Sequence, residues 1–372
     1  MYRDEVEHAF AVVGCRDRAA AAETLRWPCK PQDAGVGVKR RSVMTSSTMK
    51  AAVYRKYGPP EVVQIEDVEK PAPSDDEVLV RIIASTLCTG DWRLRRPDPP
   101  PVGWFMNGFP RPKRIKILGM EFAGTVDSIG EHVTGLKVGD RVFGVSWRFG
   151  AHAEYACFPE RSIAKMPHNA SFEEAAAIPY GGVSALYFLK RAGVKAGQTV
   201  LIYGAAGSVG TASVQLAQYF GASVTGVCST ANLGLVKSLG AAHVIDYTKD
   251  DFSNAGRIYD VIHDTVGKSG IWRSMHAIKR EGVYILPGPV WAGVEAALGA
   301  IWAKMTGSCK VMGGVAQGGI PELDFLAKLV ETGEFRPVID RCYPLASIAE
   351  AHRYAEAGHK KGNVVITVSG TH

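Results

Sequence analysis

Cysteine is scarce and never paired: seven residues in 372, at Cys15, Cys29, Cys88, Cys157, Cys228, Cys309 and Cys342, with no Cys-x-x-Cys. Such dispersion excludes a disulfide framework and a cysteine-rich zinc lobe, and fits reduced thiols in the cytoplasm. Long apolar runs are missing too. The nearest approach, residues 283–305, is interrupted by Pro287, Pro289 and Glu295, so no transmembrane segment is expected. The first residues lack the apolar region of a secretory signal, and Asp4, Glu5 and Glu7 argue against a mitochondrial presequence. Charge of one sign is also lacking, with 43 Lys and Arg against 37 Asp and Glu and a formal net charge of +6. The interspersed signs suit a small anionic ligand and give no reason to expect a nucleic-acid partner.

At 46% hydrophobic and 22% charged residues, the chain is ordinary globular material with length enough for two domains. Residues 1–48 stand apart, mixing acids and bases with Pro28 and Pro31 and closing on Lys39, Arg40 and Arg41. They are expected to be a disordered N-terminal extension, with Met44 or Met49 as the working start.

Residues 199–210, TVLIYGAAGSVG, read as an apolar strand entering a glycine turn that opens a helix over 208–219. Gly204, Gly207 and Gly210 carry no Cβ to block a tight turn or the approach of a pyrophosphate, and a helix start offers free N–H groups to it. Glycines at such a turn also serve plain strand–helix packing, so the neighbours decide. Strand patterns at 222–227, 243–246, 259–264 and 282–286 alternate with helical ones, which specifies a parallel, doubly wound Rossmann sheet with right-handed crossovers.

An acid about 20 residues beyond the glycines would bind the ribose 2′-hydroxyl of NAD. Here Cys228, Ser229, Thr230, Ala231 and Asn232 follow the second strand, and the first acid is Asp246. Hydroxyl and amide donors, with Lys237 nearby, point to the 2′-phosphate of NADPH. Ser and Thr are turn formers as well, and no arginine stands in the loop, so NADH use stays open.

Before the glycine turn the chain is β-rich: KAAVYRKYG, EVLVRIIAST, EFAGTVDSIG, DRVFGVS and AEYACFPE, separated by Pro, Gly and Asp turns. This pattern suggests a small, partly open barrel, and a lone final strand at 362–368 must find a sheet, for which returning to the barrel is the economical choice. The succession MKAAVYRKYGPPEV, DEVLVRIIAS, GMEFAGTVDSIGEHV, LKVGDRVFG, GAHAEY, FEEAAAIPYGGVSAL, GQTVLIYGAAGSVG and DTVG resembles the medium-chain dehydrogenase/reductase superfamily. Within it the chain looks like the zinc-independent quinone oxidoreductase branch. The resemblance covers 49–368 and implies an α/β fold: a GroES-like catalytic domain of residues 49–174 and 317–372, and a Rossmann NADPH-binding domain of 175–316. A cleft between them would hold the cofactor, and a homodimer is expected.

Zinc-dependent members of the superfamily need three ligands, usually Cys, His and Cys. Set against them, the three positions fall on Cys88, Met120 and Tyr180. Thioether and neutral phenol do not replace imidazole or thiolate, so no metal is expected. His132, His152 and His168 are isolated in sequence. Tyr180 is the candidate proton donor, with a buried, backbone-satisfied tyrosine as the plain alternative. Asp91 is a candidate catalytic acid or a turn cap, and Cys88 a pocket thiol or a small buried hydrophobe.

For the cofactor, the resemblance nominates Ala206, Gly207, Ser208, Val209 and Gly210 at the pyrophosphate. It nominates Ser229, Thr230, Asn232 and Tyr247 at the 2′-phosphate, and Val266, Gly288, Gly362 and Asn363 at the ribose and nicotinamide. The long loop 93–116, with Trp104, Phe105, Met106 and Phe109, reads as a lid over a flat hydrophobic substrate or as a dimer contact. The resemblance sets Trp291, with Trp302 eleven residues on, at the border of the pocket or the dimer seam, with plain core packing or a membrane-surface helix as alternatives. The expected activity is hydride transfer from NADPH to a small apolar electrophile, a quinone or an α,β-unsaturated carbonyl. A broad alcohol or aldehyde dehydrogenase, or an NADPH-binding scaffold or sensor without turnover, stand as alternatives.

Overall fold

The computed structural model describes residues 48–98, 100–255, 258–287 and 293–368. Residues 1–47, Gly288 and Trp291 lie outside the described residues. In chain order the fold comprises β1 (Thr48–Tyr54), β2 (Val63–Glu69), β3 (Glu77–Leu87), α1 (Thr89–Arg95), α2 (Pro100–Asn107), β4 (Glu121–Ile129), β5 (Arg141–Val145), β6 (Tyr155–Pro159), β7 (Ile163–Lys165), α3 (Phe172–Ala176) and α4 (Pro179–Arg191). It continues with β8 (Thr199–Tyr203), α5 (Ser208–Tyr219), β9 (Ser223–Cys228), α6 (Leu233–Ser238), β10 (His243–Asp246), β11 (Tyr259–Asp264), α7 (Ile271–Ala277) and β12 (Ile278–Pro287). It closes with α8 (Gly293–Thr306), β13 (Lys310–Gly314), α9 (Ile320–Glu331), β14 (Ile339–Pro344), α10 (Ile348–Glu356) and β15 (Asn363–Thr367).

The Val/Ile-rich strands of the second half form a six-stranded parallel sheet in the order β10-β9-β8-β11-β12-β13. That is a doubly wound Rossmann order, and it reverses between β8 and β11, where ligands of such sheets bind. Val200, Leu201, Ile202, Val261, Ile262 and Ile285 have no exposed surface, because helices cover both faces. The first half builds a mixed sheet, β14-β15-β3-β4-β5-β7, with β6 also on β3. Strand β15 runs antiparallel to β3 and parallel to β14. The β1–β2 hairpin is stitched on by bridges at Ala51–Ala153 and Val53–Ile117. An α/β fold with a GroES-like sheet beside a parallel Rossmann sheet is therefore what the chain forms.

Local signals account for where the helices start. Ser171 and Glu174 form a reciprocal capping box at α3, and Pro179 opens α4, where its missing N–H costs nothing. A single hydrophobic cluster then joins the two sheets: Ala84, Ala123, Phe143 and Val365 pack with Ala175, Ala176 and Ile178, and these with Val200 and Val224. Small residues at this junction let α3 and α4 sit close to both.

One buried charge braces the mixed sheet from outside. The Arg95 side chain has no exposed surface, donates to Glu356 on α10 at 2.5 Å, and also donates to the carbonyl of Gly58. Removing the carboxylate would strand an enclosed cation. Glu356→Ala should destabilise the fold by about 3 kcal/mol, read as a shift in the urea midpoint. Asp67→Ala, which breaks the exposed pair with Lys50, should cost under about 1 kcal/mol.

Candidate active site

At the end of β8 the backbone turns through Gly204 to Gly207, the residue before α5, whose carbonyl accepts from Thr211 N–H at 2.8 Å. The turn is as tight as the backbone permits: a Cβ on Gly210 would lie 2.1 Å from the Gly204 carbonyl oxygen. The opening N–H groups of α5, on Ser208, Val209 and Gly210, have no intrahelical partner and supply the positive end of its dipole. Beside them lies a cavity of about 430 Å³, a size fit for a cofactor segment.

Of the residues nominated for the cofactor, Ala206, Gly207, Ser229, Asn232, Tyr247 and Val266 line this cavity. Gly362 and Asn363 stand behind it as braces. Gly362 N–H donates to the Ala206 carbonyl at 2.8 Å. Asn363 accepts from Ser208 Oγ at 2.6 Å and donates to the carbonyls of Ala177 and Val338 at 3.1 Å. Thus β15 ties the glycine turn to the mixed sheet.

Thr230 departs from the expectation. Its hydroxyl donates to the Asp246 carboxylate, and a hydroxyl has one proton to give, so it is not a phosphate donor in this arrangement. Asp246 in turn accepts from both N–H and Oγ of Thr248, and these hydroxyl bonds hold its carboxyl below the usual range. Lys237 is exposed on α6 and does not line the cavity. The cations that do line it are Lys268, Lys360 and Lys361, with His359 beside them. Sequence reasoning missed these residues, because in sequence they read as ordinary surface charge.

At the other end, Cys88, Met120 and Tyr180 gather in one apolar cluster. Cys88 Sγ lies 3.9 Å from Met120 Sδ. Burial, reinforced by the carboxylates of Asp91 and Glu121, pushes the Cys88 thiol well above its ordinary pKa, so it is a neutral buried hydrophobe and no thiolate. Asp91 proves to be a strut. One oxygen accepts Cys88 N–H at 2.7 Å, capping α1, and the other accepts Gly119 N–H at 2.8 Å, with no surface exposed. Both oxygens are committed to the backbone, which fits the capping alternative and not a catalytic acid.

Tyr180 is half-buried, and its hydroxyl makes no hydrogen bond to a described residue. Burial, reinforced by the carboxyls of Glu121 and Asp91, pushes its pKa up, which keeps the phenol neutral and able to donate. Its backbone N–H donates to Glu121 Oε1 at 2.8 Å, while Thr86 Oγ1 donates to Oε2. Glu121 is 1% exposed and was not singled out from sequence. The available signal was an acid between Met120 and Phe122 at the start of an apolar strand.

Among the described residues no three His, Cys, Asp or Glu side chains converge to hold a metal ion. His132 and His168 pair with Asp76 and Glu331 on the surface, and buried His152 faces the Thr86 carbonyl. The lid candidates Trp104, Phe105 and Met106 are exposed on α2, with Trp104 edge-on to Phe109. They do not line the cofactor cavity.

A Rossmann sheet with a glycine turn at its switch point, joined to a GroES-like sheet, defines a two-sheet NAD(P)H-dependent oxidoreductase. Residues 74–168 match the alcohol dehydrogenase GroES-like domain and residues 239–366 the zinc-binding dehydrogenase domain. The chain is 33% identical to the 2-methylene-furan-3-one reductase of Solanum lycopersicum, over 95% of this chain and 84% of that one. It is 32% identical to the chloroplastic NADPH-dependent alkenal/one oxidoreductase of Arabidopsis thaliana, over 86% and 79%. The solved quinone oxidoreductase of Coxiella burnetii superposes with a TM-score of 0.78 at 31% identity, covering 87% of this chain and all of that one. The chain belongs to the medium-chain dehydrogenase/reductase superfamily, in its quinone oxidoreductase-like branch. No helix among the described residues is long and apolar enough to cross a membrane.

Two predictions follow from the site's charges. Ala231 lines the cavity without a cation, so Ala231→Arg should tighten NADPH about tenfold and leave NADH within about twofold, as read by cofactor titration. The Glu121 carboxyl is raised to about 7, chiefly by burial, opposed by Thr86 and the Tyr180 N–H. An unfolded glutamate releases its proton near pH ~4.3, so between these values the folded chain binds more protons. Stability should be highest below the window, fall by up to about 1.4 kcal/mol per pH unit through it, and level off above. Urea melts of Glu121→Gln should lack this fall.

Proposed function

We propose that the chain is a zinc-independent, NADPH-dependent reductase of quinones or α,β-unsaturated carbonyls. The observation that carries the reading is the Cys88–Met120–Tyr180 cluster: a neutral thiol, a thioether and a phenol gather where zinc-dependent relatives would need ligands. That donor set does not fit zinc. Without a Lewis acid, a plain aldehyde is poorly activated, whereas conjugated acceptors spread the developing charge themselves.

When bound, NADPH would supply the hydride. The first-turn N–H groups of α5 would hold its pyrophosphate, with Ser229, Asn232 and the Lys268, Lys360 and Lys361 ammonium groups answering the phosphates. Lys360 is fastened by donating to the Gly362 carbonyl at 2.6 Å. Tyr180 would donate to the acceptor oxygen as it gains charge, since its hydroxyl has no other described partner. The apolar wall of Cys88, Met120 and Leu118 excludes water there, which strengthens that bond.

The same reading takes residues 49–174 with 317–372 as the catalytic domain and 175–316 as the cofactor domain. It gives Trp104, Phe105 and Met106 on α2 the role of covering a flat substrate, and it places the enzyme in the cytoplasm. A homodimer would cover the exposed apolar face of Leu298, Ile301, Trp302 and Met305 on α8, beside the edge strand β13.

The test is NADPH oxidation with a simple quinone, an enone and a primary aldehyde, each with and without chelator. Turnover of the quinone or enone that ignores chelator is expected. Aldehyde turnover abolished by chelator would overturn the zinc-free reading, and tight NADPH binding with no turnover would indicate a scaffold or sensor. Tyr180→Phe should lower kcat by about 10²-fold with little change in acceptor KM.

A further inference from the structure

Glu121 is an enclosed carboxyl that links the mixed sheet to α4. It stands at the start of β4, and its own carbonyl accepts from Ser85 Oγ at 2.7 Å, fixing the backbone there. Its side chain reaches two elements. Thr86 Oγ1 on β3 donates to one oxygen, and the Tyr180 N–H in the first turn of α4 donates to the other at 2.8 Å. That N–H is one of the orphan donors every helix start leaves, and a carboxyl oxygen is the strongest acceptor a side chain can offer it.

The rotation and depth of the α4 start decide where the Tyr180 ring lies. On the far side, α4 has no slack, because a Cβ on Gly181 would lie 2.8 Å from both the carbonyl and Oγ of Ser208 at the start of α5. The helix is pinned between the glycine turn and Glu121. We propose that Glu121 is a positioning residue for the reaction: through its bond to the Tyr180 N–H it sets the phenol against the acceptor, and Thr86 orients the carboxyl that does so. This rests on the reading of Tyr180 as hydrogen-bond donor to the acceptor oxygen. Glu121 itself, 1% exposed, does not reach substrate.

The expected effects distinguish positioning from mere support. Glu121→Gln keeps an oxygen for the Tyr180 N–H and lets Thr86 reverse its bond, so kcat should stay within about threefold of the parent. Glu121→Met keeps length and loses the acceptor, and should lower kcat about tenfold, with acceptor KM and the NADPH dissociation constant each within about twofold. Thr86→Val, a milder variant that keeps the carboxyl, should lower kcat about threefold. In a Tyr180→Phe background these losses should vanish, since the phenol through which Glu121 acts is gone.

The decisive experiment combines this double-mutant cycle with fluorine NMR of the full chain carrying a fluorotyrosine at position 180. Glu121→Met and Thr86→Val should shift or broaden that resonance, and Glu121→Gln should leave it near the parent position. An unmoved resonance, an undiminished kcat in either variant, or losses that persist in full without the phenol would overturn the proposal. Should Glu121→Met fail to fold, Thr86→Val alone decides by the same readings. If the parent turns over no quinone or enone while the resonance moves as expected, the control of the Tyr180 ring by Glu121 stands, and the reductase reading and the catalytic role built on it fall. If turnover is present and the resonance and rates are unmoved, the reverse holds.

Discussion

The site depends on a polar seam running through an otherwise apolar junction. Two side chains make it: Glu121 from β4 and Asn363 from β15, 4% exposed. Each satisfies a backbone group that the junction would otherwise bury unpaired, Glu121 the Tyr180 N–H and Asn363 the carbonyl of Ala177. A buried donor or acceptor left without a partner costs roughly 1–3 kcal/mol. Dispersion packing alone would tolerate small slides of one sheet over the other, and directional hydrogen bonds do not. The cluster of alanines between them supplies attraction, and the seam supplies register.

This seam explains why the cleft can use long-range parts. The glycine turn belongs to the parallel sheet, yet Ala206 receives its bond from Gly362, 156 residues later by their numbers. The segment that brings Lys360 and Lys361 to the cavity is held by β15, whose other edge is β3. The glycine turn and the cavity's lysines thus meet at a boundary that neither sheet forms alone.

What the sequence makes legible is governed by range. The glycine turn, the β/α alternation and the capping boxes are constraints between neighbours, and Gly204–Gly210 can be read as a nucleotide turn because few other residues permit that backbone. Partnerships across the fold leave no such mark. Thr230 looks free until Asp246, sixteen residues on, accepts its hydrogen bond. Asp91 looks available until Gly119 occupies its second oxygen. Lys360 and Lys361 look like a solvated run, and Glu121 like any strand acid, until tertiary contacts enclose or recruit them.

The cavity's charge pattern carries one more step. A loop arginine after β9 would read a 2′-phosphate directly and in a fixed fork. This chain has Ala231 there and draws its cations from Lys268 and from the segment before β15. Lysine offers a point charge and no planar fork, so these groups would raise affinity for phosphate without selecting its geometry. Beside them stand the neutral donors Ser229 and Asn232, whose side chains are bonded to each other at 3.1 Å. There Asn232 Nδ2 donates to Ser229 Oγ, which leaves the hydroxyl proton and the second amide hydrogen for a 2′-phosphate or a ribose hydroxyl alike. On the proposed reading the lysines would favour NADPH by charge, and the neutral donors, which can serve either cofactor, would leave NADH admissible.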